Sequence, residues 1–210
     1  MLRATTIPPH VAGLEEAIAE LIAAGRDFAR RGWVPATSGN LSCRLDARTM
    51  VVTLSGRDKG ALAPEDFVAI DIAAPPPVGV SAEAPLHALM YRRDPAIGAV
   101  LHVHSPTATL ASLEFEAAGA VALEGYEMLK ALAGVRTHAT RIEVPVFAND
   151  QDIPALAARV EPRLAPGLWG YLIAGHGLYA WGKDVAEARR HVEAFDFLLA
   201  CERERTRRPK

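Results

Sequence analysis

The sequence predicts a single three-layer α/β/α domain built on a central, mostly antiparallel sheet. Three observations lead there. Short apolar or β-branched runs bounded by Gly, Pro, Asn or Asp recur along the chain, as strands do. Some of these runs sit in adjacent pairs, and others are separated by stretches of helical periodicity, which suits one sheet covered by helices on both faces. Half of the 210 residues are hydrophobic and 23% are charged, enough for one substantial core. No internal repeat, low-complexity tract or linker interrupts the chain. Residues 1–210 are therefore expected to form one domain, with flexible ends at 1–10 and 203–210.

Val11 to Arg31 reads as an amphipathic helix, with Leu14, Ile18, Leu21, Ile22 and Phe28 near one stripe and Gly32 as the stop. A loop over 33–40 leads to strands at 41–45 and 50–54, and another strand is expected at 67–72. Ser81 is a plausible N-cap for a helix running through Tyr91. A strand around Val100 follows, then a short helix from Pro106 to Leu113, a strand at 117–123 and a helix from Glu124 to Ala133. Arg141 to Phe147 reads as a strand with Pro145 near an edge. Asp152 and Pro154 open a helix that reaches Leu164. Two apolar strands, 169–174 and 178–181, flank Gly175-His-Gly177. Asp184 with Glu187 three residues on resembles a capping box, and Val185, Ala188, Val192, Phe195 and Leu199 give the last helix its stripe. The basic end from Arg203 to Lys210 reads as a frayed, solvated terminus.

Composition narrows the function classes. A net charge of −2 gives no bulk attraction to nucleic acid or anionic membrane, and no apolar run approaches a membrane span. Cys43 and Cys201 form no CxxC pair or disulfide framework, and the N-terminus lacks a leader pattern, so a cytoplasmic protein is expected. Asn40-Leu-Ser42 matches a glycosylation sequon that has no meaning without secretion.

The chemistry concentrates in Gly98-Ala-Val-Leu-His-Val-His-Ser105. On a strand, residues i and i+2 share a face, so His102 and His104 project side by side and can chelate one metal ion. Two core histidines bonded to backbone are the alternative, but that leaves several buried polar atoms needing partners. Zinc at a catalytic centre takes three protein ligands and keeps an open position. His176, carried at the tip of a glycine-bracketed turn, is the best third candidate. For His10, His87, His138 and His191 a surface or satisfied structural role is expected.

These motifs carry a resemblance. Pro35-Ala-Thr-Ser-Gly-Asn-Leu-Ser42, Leu54-Ser-Gly56, Ser81-Ala-Glu83, His102-Val-His104 and Gly175-His-Gly177 occur in the order found in the class II aldolase and adducin-like superfamily, from about Leu14 to Glu202. Within it the chain is most similar to the methylthioribulose-1-phosphate dehydratases, through Gly32-Trp-Val34, Ser55-Gly-Arg-Asp-Lys-Gly60, Gly125-Tyr-Glu-Met-Leu-Lys130 and His176-Gly-Leu-Tyr-Ala-Trp-Gly182.

The resemblance implies one Zn²⁺ per subunit on His102, His104 and His176, and a sugar phosphate as substrate. It places the phosphate on loops containing Thr37, Ser38, Gly39, Asn40, Ser55, Gly56 and Ser81. Lys59 is either an added cation there or a solvated surface lysine. Glu127 is implied as the principal acid/base, ahead of Glu83; by residue type alone Glu127 passes as an exposed helical glutamate near Lys130. Phe115, Tyr126 and Met128 are candidates for an apolar lining. The expected reaction is zinc-dependent dehydration in methionine salvage, by a homotetramer with active sites at subunit contacts. The rivals are an aldolase or epimerase acting on another ketose phosphate, and a non-catalytic adducin-like interaction domain.

Overall fold

The computed structural model describes residues 13–207. The expected flexible segment 1–10 and the helix start at Val11 lie outside the described residues. Eight strands, β1 (Asn40–Arg44), β2 (Thr49–Thr53), β3 (Phe67–Asp71), β4 (Ala99–Val103), β5 (Ala120–Leu123), β6 (Ile142–Phe147), β7 (Gly170–Ile173) and β8 (Gly177–Gly182), form one sheet in the order β3-β2-β1-β4-β8-β7-β6-β5. Every neighbouring pair is antiparallel except β6 with β7.

Five helices cover the two faces. α1 (Leu14–Arg30), α3 (Pro106–Glu114) and α5 (Val185–Arg207) share a core with Leu41, Leu101, Val103 and Leu178. α2 (Ala84–Arg93) and α4 (Ile153–Val160) close the other face over Val52, Val100, Tyr171 and Tyr179. The division follows from the two-residue period of the strands. On β4, Ala99, Leu101 and Val103 enter the first core while Val100 enters the second, so His102, two residues on, faces α2 and α4.

Three expectations need correction. The segment expected as a helix from Glu124 is irregular at first, because Gly125 has φ +82° and Tyr126 is extended; a 3₁₀ turn follows only over Glu127–Ala131. Residues 203–207 do not fray. They complete α5, and Arg203 and Arg207 both pair with Glu114 at the end of α3, at 2.8 and 2.5 Å. Pro145 lies on an interior strand. The Val146 N–H donates to Gly119 on the β5 side, so the Pro145 nitrogen points toward β7, where the ladder starts only at Val146. His87 and His191, by contrast, are buried and bonded, which agrees with a satisfied role.

Both cysteines are free, and burial together with Glu20 pushes the Cys43 thiol up to about 12. Among the described residues no helix is long and apolar enough to cross a membrane.

Candidate metal centre and phosphate cavity

β4 lies between β1 and β8, with Asn40 opposite His102 on one side and Tyr179 opposite it on the other. The His102 ring is fully buried and stacks on Tyr179 at 4.0 Å between centroids and 14° between planes. Its Nδ1 donates to the Leu178 carbonyl at 3.0 Å, which leaves Nε2 as a bare acceptor. That Nε2 faces His176 Nε2 at 3.2 Å. Nitrogens bound to one tetrahedral ion at about 2.0–2.1 Å stand roughly 3.3 Å apart, so the spacing suits shared ligation.

The turn that delivers His176 is built by contacts as well as by glycine. Gly175 has φ +64° and donates its N–H to Ser112 Oγ, and Thr109 donates to the His176 carbonyl. A Cβ at Gly177 would stand 2.1 Å from the Val103 carbonyl oxygen, so no other residue lets β8 approach β4 this closely. Ligand atoms of His102, His104 and His176 all lie within 4.8 Å of one another.

Electrostatics favour donors over cations. Burial drives His102 well below the ordinary imidazole range, and burial plus the neighbouring His176 takes His104 to about 4. Neutral imidazoles are the form that binds metal. Glu83, the N-cap residue of α2, reaches the same cluster: one oxygen is 2.9 Å from His176 Nε2 and the other 3.5 Å from His102 Nε2. Burial opposes its charge, but the hydrogen-bond donors on His176 and Asn40 help hold the carboxyl below its usual range. Three imidazoles whose ligand atoms cluster within 4.8 Å, with a carboxylate beside them, fit a divalent ion.

A cavity of about 210 Å³ opens beside the cluster. Ser38, Gly39, Asn40, Ser55, Gly56, Lys59, Ser81 and Glu83 all line it, together with Thr37, Leu54, His104 and His176. Loops well separated along the chain thus converge on one cavity. Ala36 and Thr37 both adopt left-handed φ, of 51° and 66°. Two adjacent non-glycine residues in that region are costly and persist only where surroundings impose them. Lys59 supplies part of the restraint: it is buried, not a solvated surface lysine, and donates to the carbonyls of Thr37 and Arg57, both at 2.7 Å. Burial lowers its pKa, with Asp58, Asp66 and Glu83 opposing. Ser38 Oγ is buried without a hydrogen-bond partner, which marks a group awaiting a polar ligand.

Ser81 does not directly precede the helix. Its Oγ instead accepts from the Glu83 N–H at 3.3 Å and from Asn40 Nδ2 at 3.1 Å. Asn40 is buried inside the site, which removes the sequon as a modification point.

Glu127 is the one proposed acid that this fold does not bring to the cavity. It is exposed on its 3₁₀ turn, paired with Lys130 and 3.9 Å from His138. Phe115 and Tyr126 pack against the α1/α3/α5 core, Tyr126 bonding Glu202, and Met128 is exposed; none of the three lines the cavity.

Comparison with known proteins gives concordant results. Residues 19–202 match the family model described as Class II Aldolase and Adducin N-terminal domain. A protein named methylthioribulose-1-phosphate dehydratase from Xanthomonas campestris pv. campestris (strain 8004) is 52% identical over 209 residues, 97% of this chain and 96% of its own. One of the same name from Stenotrophomonas maltophilia (strain K279a) is 53% identical over 95% of this chain and 96% of its own. The crystal structure of L-fuculose-1-phosphate aldolase from Thermus thermophilus superposes with a TM-score of 0.74 at 25% identity, covering 92% of this chain and 96% of that one.

Proposed function

The chain belongs to the class II aldolase and adducin family, and on that premise we propose that it is a hydro-lyase. It dehydrates 5-methylthioribulose 1-phosphate to 2,3-diketo-5-methylthiopentyl 1-phosphate, with one zinc ion per subunit, as a cytoplasmic step of methionine salvage. The observation that carries this reading is the 52% identity, over nearly the whole chain, to relatives bearing that enzyme's name.

His102, His104 and His176 are the residues to hold the ion, which when bound supplies Lewis-acid polarisation of a ketone and its neighbouring hydroxyl. The chain's own groups do the rest. Ser38, Gly39, Asn40, Ser55, Gly56 and Ser81 form the phosphate loops, Asn40 acting through the Ser81 hydroxyl that it bonds; the unpartnered Ser38 hydroxyl and the buried Lys59 ammonium support that assignment. Glu127 takes the proton from C3. Glu127, now protonated, gives a proton to the C4 hydroxyl, which leaves as water; Glu83, held as a carboxylate, is the alternative donor once it has itself taken up the C3 proton. The hydroxyl proton of the resulting enol passes to C4, giving the second ketone. Since Glu127 is exposed on its own chain beside the exposed Met128, this role goes with a homotetramer in which that surface meets a neighbour's cavity.

One observation favours a second reading, an aldolase or epimerase of another ketose phosphate: Glu83, not Glu127, is the carboxylate that touches the histidines. Metal analysis of the protein purified in the presence of zinc, and its incubation with methylthioribulose 1-phosphate and with simple ketose phosphates, test both. The expected product is the diketone. An aldehyde from another ketose phosphate would establish the aldolase, and less than about one zinc per three chains with no turnover would establish a non-catalytic interaction domain.

A further inference from the structure

Between β1 and α2 five side chains form one continuous buried hydrogen-bond chain that ends on Glu83. Asn40 and Ser42 stand at i and i+2 on β1 and so share a face. Glu83, His87 and Tyr91 stand at i, i+4 and i+8 along α2 and so share a stripe. The contacts run Tyr91 OH to Ser42 Oγ at 2.7 Å, Ser42 Oγ to His87 Nδ1 at 2.7 Å, His87 Nε2 to Asn40 Oδ1 at 2.5 Å, and Asn40 Nδ2 to Glu83 Oε2 at 2.6 Å. Ser42 and His87 have no exposed surface, and Tyr91 and Asn40 have almost none.

Counting hydrogens gives the chain a direction. Asn40 Nδ2 has two, and both are committed, to Glu83 and to Ser81 Oγ. The amide oxygen is therefore the acceptor from His87, and His87 Nε2 is the donor. Burial keeps His87 neutral, with a pKa of about 4, so its single proton is on Nε2 and Nδ1 accepts from Ser42. Ser42 spends its hydrogen on Nδ1 at 2.7 Å, the Val100 carbonyl being farther at 3.4 Å, and Tyr91 donates to it. Every donor points toward Glu83. Bonds aligned in one sense polarise one another, and the order breaks if one member is removed.

We propose that His87 is a positioning residue for the reaction: backed by Ser42 and Tyr91, it locks the Asn40 amide with its NH₂ edge toward Glu83, and so fixes that carboxylate against His176. A flipped amide would set an oxygen against a carboxylate oxygen at hydrogen-bond distance, and Glu83 would swing away. The proposal rests on the reading that Glu83 belongs to the active centre.

The test combines kinetics with imidazole ¹⁵N spectra of the zinc-loaded enzyme. His87→Leu removes the donor, and His87→Gln places an amide N–H near the position of Nε2. For His87→Leu, kcat should fall about 10–100-fold, as for loss of an outer partner of a metal-site residue, with KM and zinc content nearly unchanged. His87→Gln should recover most of that loss, which a merely structural histidine would not allow. In wild-type protein the His87 spectrum should show Nε2 protonated and Nδ1 bare, and Tyr91→Phe should shift the Nδ1 resonance. A His87→Leu enzyme within about twofold of wild type, or a His87 ring protonated on Nδ1, overturns the proposal. Should His87→Leu fail to fold, the wild-type and Tyr91→Phe spectra decide. If wild-type protein itself does not dehydrate the substrate, the functional reading fails on its own and the spectra still judge the hydrogen-bond chain.

Discussion

Glu83 and Glu127 are two carboxylates assigned to one reaction, and the fold treats them in opposite ways. Glu83, at the N-cap position of α2, has a side chain only 15% exposed that touches His176, His102 and Asn40. Glu127 is 72% exposed on a short 3₁₀ turn, with Lys130 and His138 as its nearby charges. One is placed before any substrate arrives, by a helix start, two strands and a hydrogen-bond chain. The other stands on a turn that Leu129 anchors in the core, but its own side chain faces outward and meets Lys130 and His138. On the proposed reading, the groups that hold the substrate are built into a single chain, whereas the proton carrier stands on the surface.

The largest expected effect breaks the preset half. His176→Ala should lose bound zinc and lower turnover on the order of 10³-fold or more, the rate equivalent of several kcal/mol of Lewis-acid stabilisation. Metal analysis beside the rate measurement checks it, and retained zinc with a modest rate loss would place the ion elsewhere. Next comes the contrast itself. Glu127→Gln should reduce turnover about 10²–10⁴-fold, the usual worth of a general acid/base, with no change in melting temperature. Turnover surviving within a few-fold would transfer the role to Glu83.

Acid then separates the two regions by stability. The His87 pKa is held near 4 by burial, against about 6.5 when unfolded. Between those values the unfolded chain binds the proton first, so stability rises with pH across the window. It is fully present above about 6.5 and declines by up to about 3 kcal/mol as pH falls to 4. Urea melts over that range should show the decline, less steeply in His87→Gln and unaltered in Glu127→Gln; a flat wild-type profile would refute it. The smallest effect concerns the anchor of α3, the helix whose Thr109 and Ser112 hold the His176 turn. Glu114→Gln breaks the pairs with Arg203 and Arg207 and should cost about 0.5–1 kcal/mol, lowering the melting temperature by about 1–4 °C by calorimetry.

Parts of the site that follow local periodicity were legible in the sequence. His102 and His104 share a face because strands repeat every two residues, and His176 stands out because glycines bracket it. The layered fold followed from strand runs alternating with helical stripes. Long-range or conformational features were not legible. Glu114 and Arg203 are 89 residues apart, and nothing local links them. The delayed start of the 3₁₀ turn depends on the backbone at Gly125 and Tyr126. In the sequence His87 reads as an isolated helical histidine. Its signal is present nonetheless, since Glu83, His87 and Tyr91 recur every four residues and so make a polar stripe on a helix whose stripe should be apolar.

The location of His102 in the middle of the sheet also bears on the order of assembly. β4 is paired on both sides along its length, and its neighbours belong to both cores. Amide hydrogens there should be among the slowest to exchange with solvent, opening only when the whole domain unfolds. The folding of the polypeptide itself therefore gathers the imidazoles, and on the proposed reading an ion would be captured by a finished scaffold instead of nucleating it, the reverse of a zinc finger. A chelator should accordingly silence the enzyme and leave the protection pattern of the central strands in place.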